Sequence, residues 1–282
     1  MINKANEKND YLYHYTSLEN LALILKNRTI RFSPLSKVDD LQESRSKDLK
    51  NIGRFVFVSC WTDENKESIP MWKMYGSMES GVRVGLPKNP FVRQKTTKSD
   101  LEKIFGHIQF KNELDGEESI DTLINMAYLV ENSIYSPEML HKKDILNRIN
   151  YTDKINLLEP KTVFSDCERT LLDFEEIGIY KNMYWEFQKE WRYLIHIYPL
   201  KLTSDAELNY KRLYEVIDKL KRDELISPID HYDFEISPEA YKKMIITKSP
   251  RLSPGNEILL SSLVDKYNSD AFVAESVLKG MV

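Results

Sequence analysis

The sequence predicts an α+β fold in which strands are interrupted by helices without regular βαβ alternation. Three observations predict it. Short segments rich in aromatic and β-branched residues recur towards both ends of the 282-residue chain. Amphipathic helical stretches are set between them. The middle of the chain carries apolar residues at three- and four-residue spacing and few strand signals. One domain over 1–282 is expected, with a core of about 11–95 and 181–275 and a helical insertion of about 98–180.

Each element follows from local pattern. Tyr11-Leu-Tyr-His-Tyr15 has the period-two aromatic character of a strand. Thr16-Ser-Leu-Glu19 is a capping-box pattern, and Leu18, Leu21, Ile24 and Leu25 then form one helix face. Ile30-Arg-Phe-Ser33 reads as a short strand stopped by Pro34, and Phe55 to Trp61 as a buried strand. Pro70-Met-Trp-Lys-Met-Tyr75 fits one or two helical turns with proline at the start. Gly81 to Leu86 is a strand closed by Pro87. In the insertion, Leu123, Met126, Ala127 and Val130 keep helical spacing. Strand character resumes from Trp185 to Tyr198, followed by helices at about 203–224 and 255–267 and strands at Lys243–Thr247 and Ala271–Ala274.

Composition excludes several functional classes. The apolar runs are far shorter than the roughly 20 residues of a membrane span, and the polar first ten residues have no signal-peptide core, so a cytoplasmic protein without membrane contact is expected. Cys60 and Cys167 make neither a disulfide framework nor a zinc site. The net charge of -4 argues against avid sequence-independent nucleic-acid binding, though not against a local basic groove. With 9 glycines and no GxGxxG or GxxxxGK[ST], glycine-loop nucleotide sites are disfavoured.

Four constellations could carry chemistry. Tyr13-His14-Tyr15-Thr16-Ser17 lies at a strand-to-helix junction, where free N–H groups, His14 and two hydroxyls offer an anion or nucleotide site, or simply a helix cap. Arg31 and Ser33 share a strand face that either clamps phosphate or carboxylate or faces solvent. Asp39, Asp40 and Glu43 follow, as turn and capping residues or as metal ligands without a histidine, and no metal site is assigned. Trp72 and Tyr75, at i and i+3, share a helix face that packs in the core or stacks on a flat ring. Strand alternation over Glu186, Gln188, Glu190 and Arg192 puts them on one face, opposite Phe187, Trp191, Tyr193 and Ile195. That face lines a cleft or is a charged exterior. Cys60 reads as structural, and His107, His141, His196 and His231 lack metal-ligand spacing.

Taken in order, Leu12-Tyr-His-Tyr-Thr-Ser17, Ile30-Arg-Phe-Ser33, Asp39-Asp-Leu-Gln-Glu43, Val58-Ser-Cys-Trp61, Pro70-Met-Trp-Lys-Met-Tyr75, Gly81-Val-Arg-Val-Gly85 and Lys189-Glu-Trp-Arg192 resemble a bacterial family of unknown function, domain of unknown function 2971. The family's Asn-Asp-Pro is here Val38-Asp39-Asp40, a departure. More distantly, the order resembles ADP-ribosyltransferases, including the type of toxin that modifies DNA or RNA. That resemblance implies a split β-sheet core and NAD as substrate, with Glu190 as the catalytic acid. It places His14, Tyr15, Thr16 and Ser17 on the adenosine side or ribose. Arg31 and Ser33 fall on the diphosphate or adjacent ribose, Trp72 or Tyr75 on the nicotinamide, and Arg192 on substrate or on Glu190. The implied partners are a nucleic-acid or protein acceptor and an antitoxin or regulatory protein, in a toxin or phage-defence setting. The alternatives are a non-catalytic nucleotide- or partner-binding module and a metal-dependent nuclease using Asp39, Asp40, Glu43 and Glu190.

Overall fold

The computed structural model describes residues 10–97, 99, 119–139, 144–165, 170–201, 203 and 205–282. Cys167, His107 and His141, and parts of the expected insertion, lie outside these residues. The chain begins with β1 (Tyr11–Ser17), α1 (Leu18–Asn27), β2 (Thr29–Pro34) and β3 (Val56–Thr62). Ser17, rather than Thr16, is the N-cap of α1: its hydroxyl accepts the Asn20 N–H at 3.1 Å. After α2 (Ile69–Met71) comes a π-helical turn over Trp72–Gly76, then β4 (Gly81–Pro87).

Within the part of the expected helical zone described from residue 119 on, the helices are α3 (Met126–Glu131) and α4 (Ile155–Leu158), with one 3-10 turn over Pro137–Met139. Around them, β5 (Gln94–Thr97) pairs with β6 (Ser119–Thr122), β7 (Leu146–Arg148) joins the main sheet, β8 (Asn150–Thr152) pairs with β11 (Tyr180–Asn182), and β9 (Val163–Ser165) pairs with β10 (Thr170–Leu172). The apolar spacing does make a helix where Met126 and Leu129 turn inward. In the described stretches around them strand pairing overrides local propensity, as where β7 lies against Trp191–Tyr193. A second correction concerns Trp185–Gln188, which belong to a 3-10 helix over Met183–Gln188. The strand β12 starts only at Glu190 and runs to His196. The chain closes with α5 (Ala206–Lys221), β13 (Tyr232–Glu235), α6 (Pro238–Lys242), β14 (Ile245–Lys248), α7 (Pro254–Tyr267) and β15 (Phe272–Ala274).

The main sheet is mixed, in the order β13-β2-β3-β1-β4-β14-β15, with β12 and β7 attached beyond β3. β12 pairs with all seven residues of β3, from Glu190 opposite Thr62 to His196 opposite Val56. β2 meets β3 at Val58 and Phe57, while β1 meets it at Thr62. These two strands therefore diverge, leaving Ser59, Cys60 and Trp61 between their pairing points. Apolar layers cover both faces. One joins Leu21, Leu25, Phe32, Phe57, Val84 and Ile195, and the other Leu35, Ile52, Val56, Phe174, Leu194 and Leu220. With both sides buried, β3 reads as the continuous apolar run seen in its sequence. Among the described residues no helix is long and apolar enough to cross a membrane.

Two glycines bring β4 against the π turn. A Cβ on Gly81 would sit 1.5 Å from the Gly76 carbonyl oxygen, and one on Gly76 would sit 2.6 Å from the Trp72 ring. Gly255, in the first turn of α7, has nothing within 4 Å of its Cβ position. Gly81→Ala is therefore expected to destabilise by about 1–3 kcal/mol or more through overpacking. Gly255→Ala is expected to be neutral or stabilising by up to about 1 kcal/mol. Urea unfolding of the two variants checks the opposite signs.

Candidate functional site

The divergence of β1 and β2 from β3 opens a cavity of about 280 Å³. β1 contributes Tyr13, His14 and Tyr15, β2 contributes Ser33, and β3 contributes Val58 to Trp61. The π turn adds Tyr75, preceded by Met71 of α2, and the turn after β2 adds Lys37 and Asp39. Lys181, Gln188, Glu190 and Arg192 complete it. Of the residues assigned to NAD or to catalysis by the resemblance, the fold thus brings together His14, Tyr15, Ser33, Tyr75, Glu190 and Arg192.

A network of four charges lies beneath. Arg192 is wholly buried and grips Glu190 from two sides, Nε to Oε1 at 2.6 Å and Nη2 to Oε2 at 3.1 Å. Its Nη1 reaches Glu43 and donates to the Gly178 carbonyl at 3.1 Å. Lys181 Nζ lies 3.0 Å from Glu190 Oε2 and 3.2 Å from Glu43 Oε1, and it donates to Gln188 Oε1 at 2.8 Å. Gln188 donates in turn to the Tyr75 hydroxyl at 2.6 Å, which sits beside Asp39. Burial alone would raise the Glu190 carboxyl, but the Arg192 and Lys181 charges outweigh it and pull the group down to about 2. Burial would likewise lower Lys181, yet Glu190 and Glu43 hold it above its ordinary value. Glu190 is therefore ionised throughout the physiological range.

On the opposite wall, His14 Nδ1 is 2.8 Å from the Cys60 carbonyl oxygen. Since that oxygen only accepts, Nδ1 carries the proton and Nε2 keeps a lone pair. Burial lowers the His14 pKa, favouring this neutral form. Cys60 lines the cavity rather than being only a core residue, and its thiol lies near Glu190. Burial and the nearby carboxylate push that thiol far up, so it stays protonated and is a poor nucleophile.

Four expected site residues are placed elsewhere. Trp72 is fully buried, edge-on to Tyr15 at 4.9 Å, with its indole N–H bonded to Glu67 at 2.8 Å; no ligand can stack on it there. Thr16 is buried and accepts the Asn20 side-chain amide at 3.2 Å, while Ser17 is occupied as the cap. Arg31 points away from the main cavity and pairs through two nitrogens with Asp233, both at 2.8 Å. It lines an adjoining cavity of about 310 Å³, and His14 and Ser33 border both cavities. Glu186, expected on the Glu190 face, sits in the 3-10 helix and does not line the cavity.

Sequence reasoning missed Lys37, Lys181 and, as a bonding residue, Gln188. Lys181 carried no pattern that ties it to Glu190; β11 and the 3-10 turn fold it back over nine residues. The acidic set does not form a metal site. Glu43 and Glu190 hold the two buried cations, and Asp40 accepts the Gln42 N–H at 3.0 Å. Among the described residues, no three or more His, Cys, Asp or Glu side chains are grouped to hold a metal. Of the acids that the nuclease reading invokes, Glu43 and Glu190 are thus already engaged by Lys181 and Arg192.

Residues 71–193 match the family model described as protein of unknown function (DUF2971). This stretch is similar to that family. It includes the Tyr75 turn, β4 and the Glu190–Arg192 pair, while the β1, β2, acidic-turn and β3 motifs lie before it and fold onto the same cavity. No curated protein matches the chain, and no solved structure does.

Two outcomes follow from the network. Arg192→Met leaves Glu43 and Glu190 buried with one cation between them, and is expected to cost about 3–5 kcal/mol in chemical unfolding. Glu190 is lower in the folded than in the unfolded chain, so its contribution is present above the unfolded carboxyl value of roughly 4.3 and is lost as pH falls towards about 2. Unfolding free energies measured from pH 6 to 2 should fall less steeply in Glu190→Gln than in the parent; an equal slope would contradict the assignment.

Proposed function

We propose that the cavity binds NAD and that the protein transfers ADP-ribose to a macromolecular acceptor, nucleic acid or protein. The observation that carries this reading is an ionised carboxylate, Glu190, at the floor of an aromatic-lined cavity. NAD supplies an ADP-ribosyl group through its nicotinamide–ribose bond, whose electron pair leaves with nicotinamide. Glu190 sets negative charge where the anomeric carbon gains positive charge, and a ribose hydroxyl can donate to it. Tyr75, not Trp72, is the ring able to stack on nicotinamide. His14 Nε2 and the Ser33 hydroxyl lie where the two cavities meet and would hold the ribose and its neighbours, so the dinucleotide spans both. The diphosphate role expected of Arg31 passes to Lys37, an exposed cation at the main cavity that makes no ion pair with the described residues. Neither the sheet nor the site uses a glycine loop, in keeping with the composition. A cytoplasmic toxin or phage-defence component, controlled by a partner, is the setting that this chemistry fits.

One observation favours a second reading, a nucleotide-binding module without turnover. The Glu190 charge is already matched by Arg192 and Lys181, which weakens its effect on a developing cation. Nicotinamide release, followed by chromatography with nucleic acid and lysate as acceptors, separates the two. The transferase reading expects release by the parent and a loss of roughly 10²–10³-fold in Glu190→Gln, with NAD binding kept within a few-fold. Binding without release in the parent would establish the module, and absence of both would refute the NAD site.

A further inference from the structure

Glu67 lies outside the cavity, yet its carboxylate gathers three donors, one from its own segment and two from a distant part of the chain. Oε2 accepts the Trp72 indole N–H at 2.8 Å and the Ser276 hydroxyl at 2.6 Å. Oε1 accepts the Val277 backbone N–H at 2.8 Å. Ser276 is buried, and Leu278 packs against the cluster of Tyr15, Trp72 and Met78. At the other side of the same segment, the Ser68 N–H donates to the Tyr15 hydroxyl at 3.0 Å.

The segment so fastened is the one that forms the aromatic wall. It includes Met71 and Tyr75, which line the cavity, and the π turn between Trp72 and Gly76 that sends the first ring inward and the second to the cavity. A single π turn is an uncommon conformation in competition with ordinary helix, so its register needs outside support. Glu67 supplies it by fixing the indole, and Ser276 and Val277 fix Glu67. We propose that Glu67 is a positioning residue and that Ser276–Leu278 is a strap drawn over the back of the wall, which together set where Tyr75 meets a ligand. The strap itself is independent of what the cavity binds; its effect on NAD rests on the transferase or nucleotide-binding reading above.

Hydrogen exchange and NAD titration of the full chain test this together, in Glu67→Ala, Glu67→Gln and Leu278→Asp. Loss of hydrogen bonds to a charged group at Glu67 is expected to raise amide exchange over residues 68–76 by about tenfold or more, with β3 and β12 amides unchanged. Leu278→Asp, which dislodges the strap from its apolar end, should do the same. Glu67→Gln, which keeps one acceptor oxygen for the Trp72 and Ser276 donors but turns its NH2 towards the Val277 N–H, should recover only part of the protection. In turnover, KM for NAD should rise about tenfold with kcat within twofold, the pattern of a lost binding geometry. Unchanged exchange over 68–76, or a rise spread evenly over the sheet, would overturn the strap. If local exchange rises as expected while the parent binds no NAD, the strap stands and the NAD reading falls.

Discussion

Four buried charges hold the site together: Glu43, Lys181, Glu190 and Arg192. They come from the turn after β2, from β11 and from β12, so one network fixes three parts of the chain that share no helix or hairpin. Two acids and two bases sum to zero, the condition under which charges can be buried at tolerable cost. The backbone is shaped to complete it. Gly178 has φ of 87°, a left-handed conformation suited to glycine, and its carbonyl receives Arg192. Lys189, at φ 45°, ends the 3-10 helix so that Glu190 enters the strand, with its N–H donated to the Tyr151 hydroxyl at 2.8 Å.

The cavity exists because β3 has two partners on one edge and a full partner on the other. β12 uses every residue of β3, which keeps that strand straight through the gap between β1 and β2. In the gap, the Cys60 carbonyl finds His14 instead of a neighbouring strand, so a backbone acceptor that pairing left free orients the histidine. The register opposite Cys60 is Arg192, and opposite Thr62 is Glu190, which places the charged pair directly beside the opening. Strand pairing thus determines both the space and the chemistry around it.

Much of this was legible in local sequence pattern. Period two marked β1 and β2, a run closed by Pro87 marked β4, continuous apolarity marked β3, and the spacing of Leu18, Leu21, Ile24 and Leu25 marked α1. Glu190 and Arg192 were visible as alternating charges on an aromatic strand. What local pattern misread depended on distant partners or on unusual turns. Trp72 and Tyr75 share a face in an α-helix, but a π turn changes the angle between residues three apart and separates them. Arg31 alternates correctly with Phe32, yet Asp233 stands opposite it in the register of β13, some 200 positions along, and claims its guanidinium. The 3-10 helix over Met183–Gln188 broke the alternation that would have put Glu186 with Glu190.

Neutrality of the network does not make its surface featureless. Arg192 has no exposed area, while Glu190 keeps 5% and faces the cavity. A ligand therefore meets the carboxylate before it meets the guanidinium, and in a low-dielectric pocket the nearer charge dominates because the interaction falls with distance. Arg192 and Lys181 then act in two ways at once. They keep Glu190 ionised where burial would neutralise it, and they screen part of the charge they preserve. The site's strength towards a developing cation is set by the difference in distance between the carboxylate and its two bases, as seen from the ligand. The aromatic wall held by Glu67 is what fixes that viewpoint.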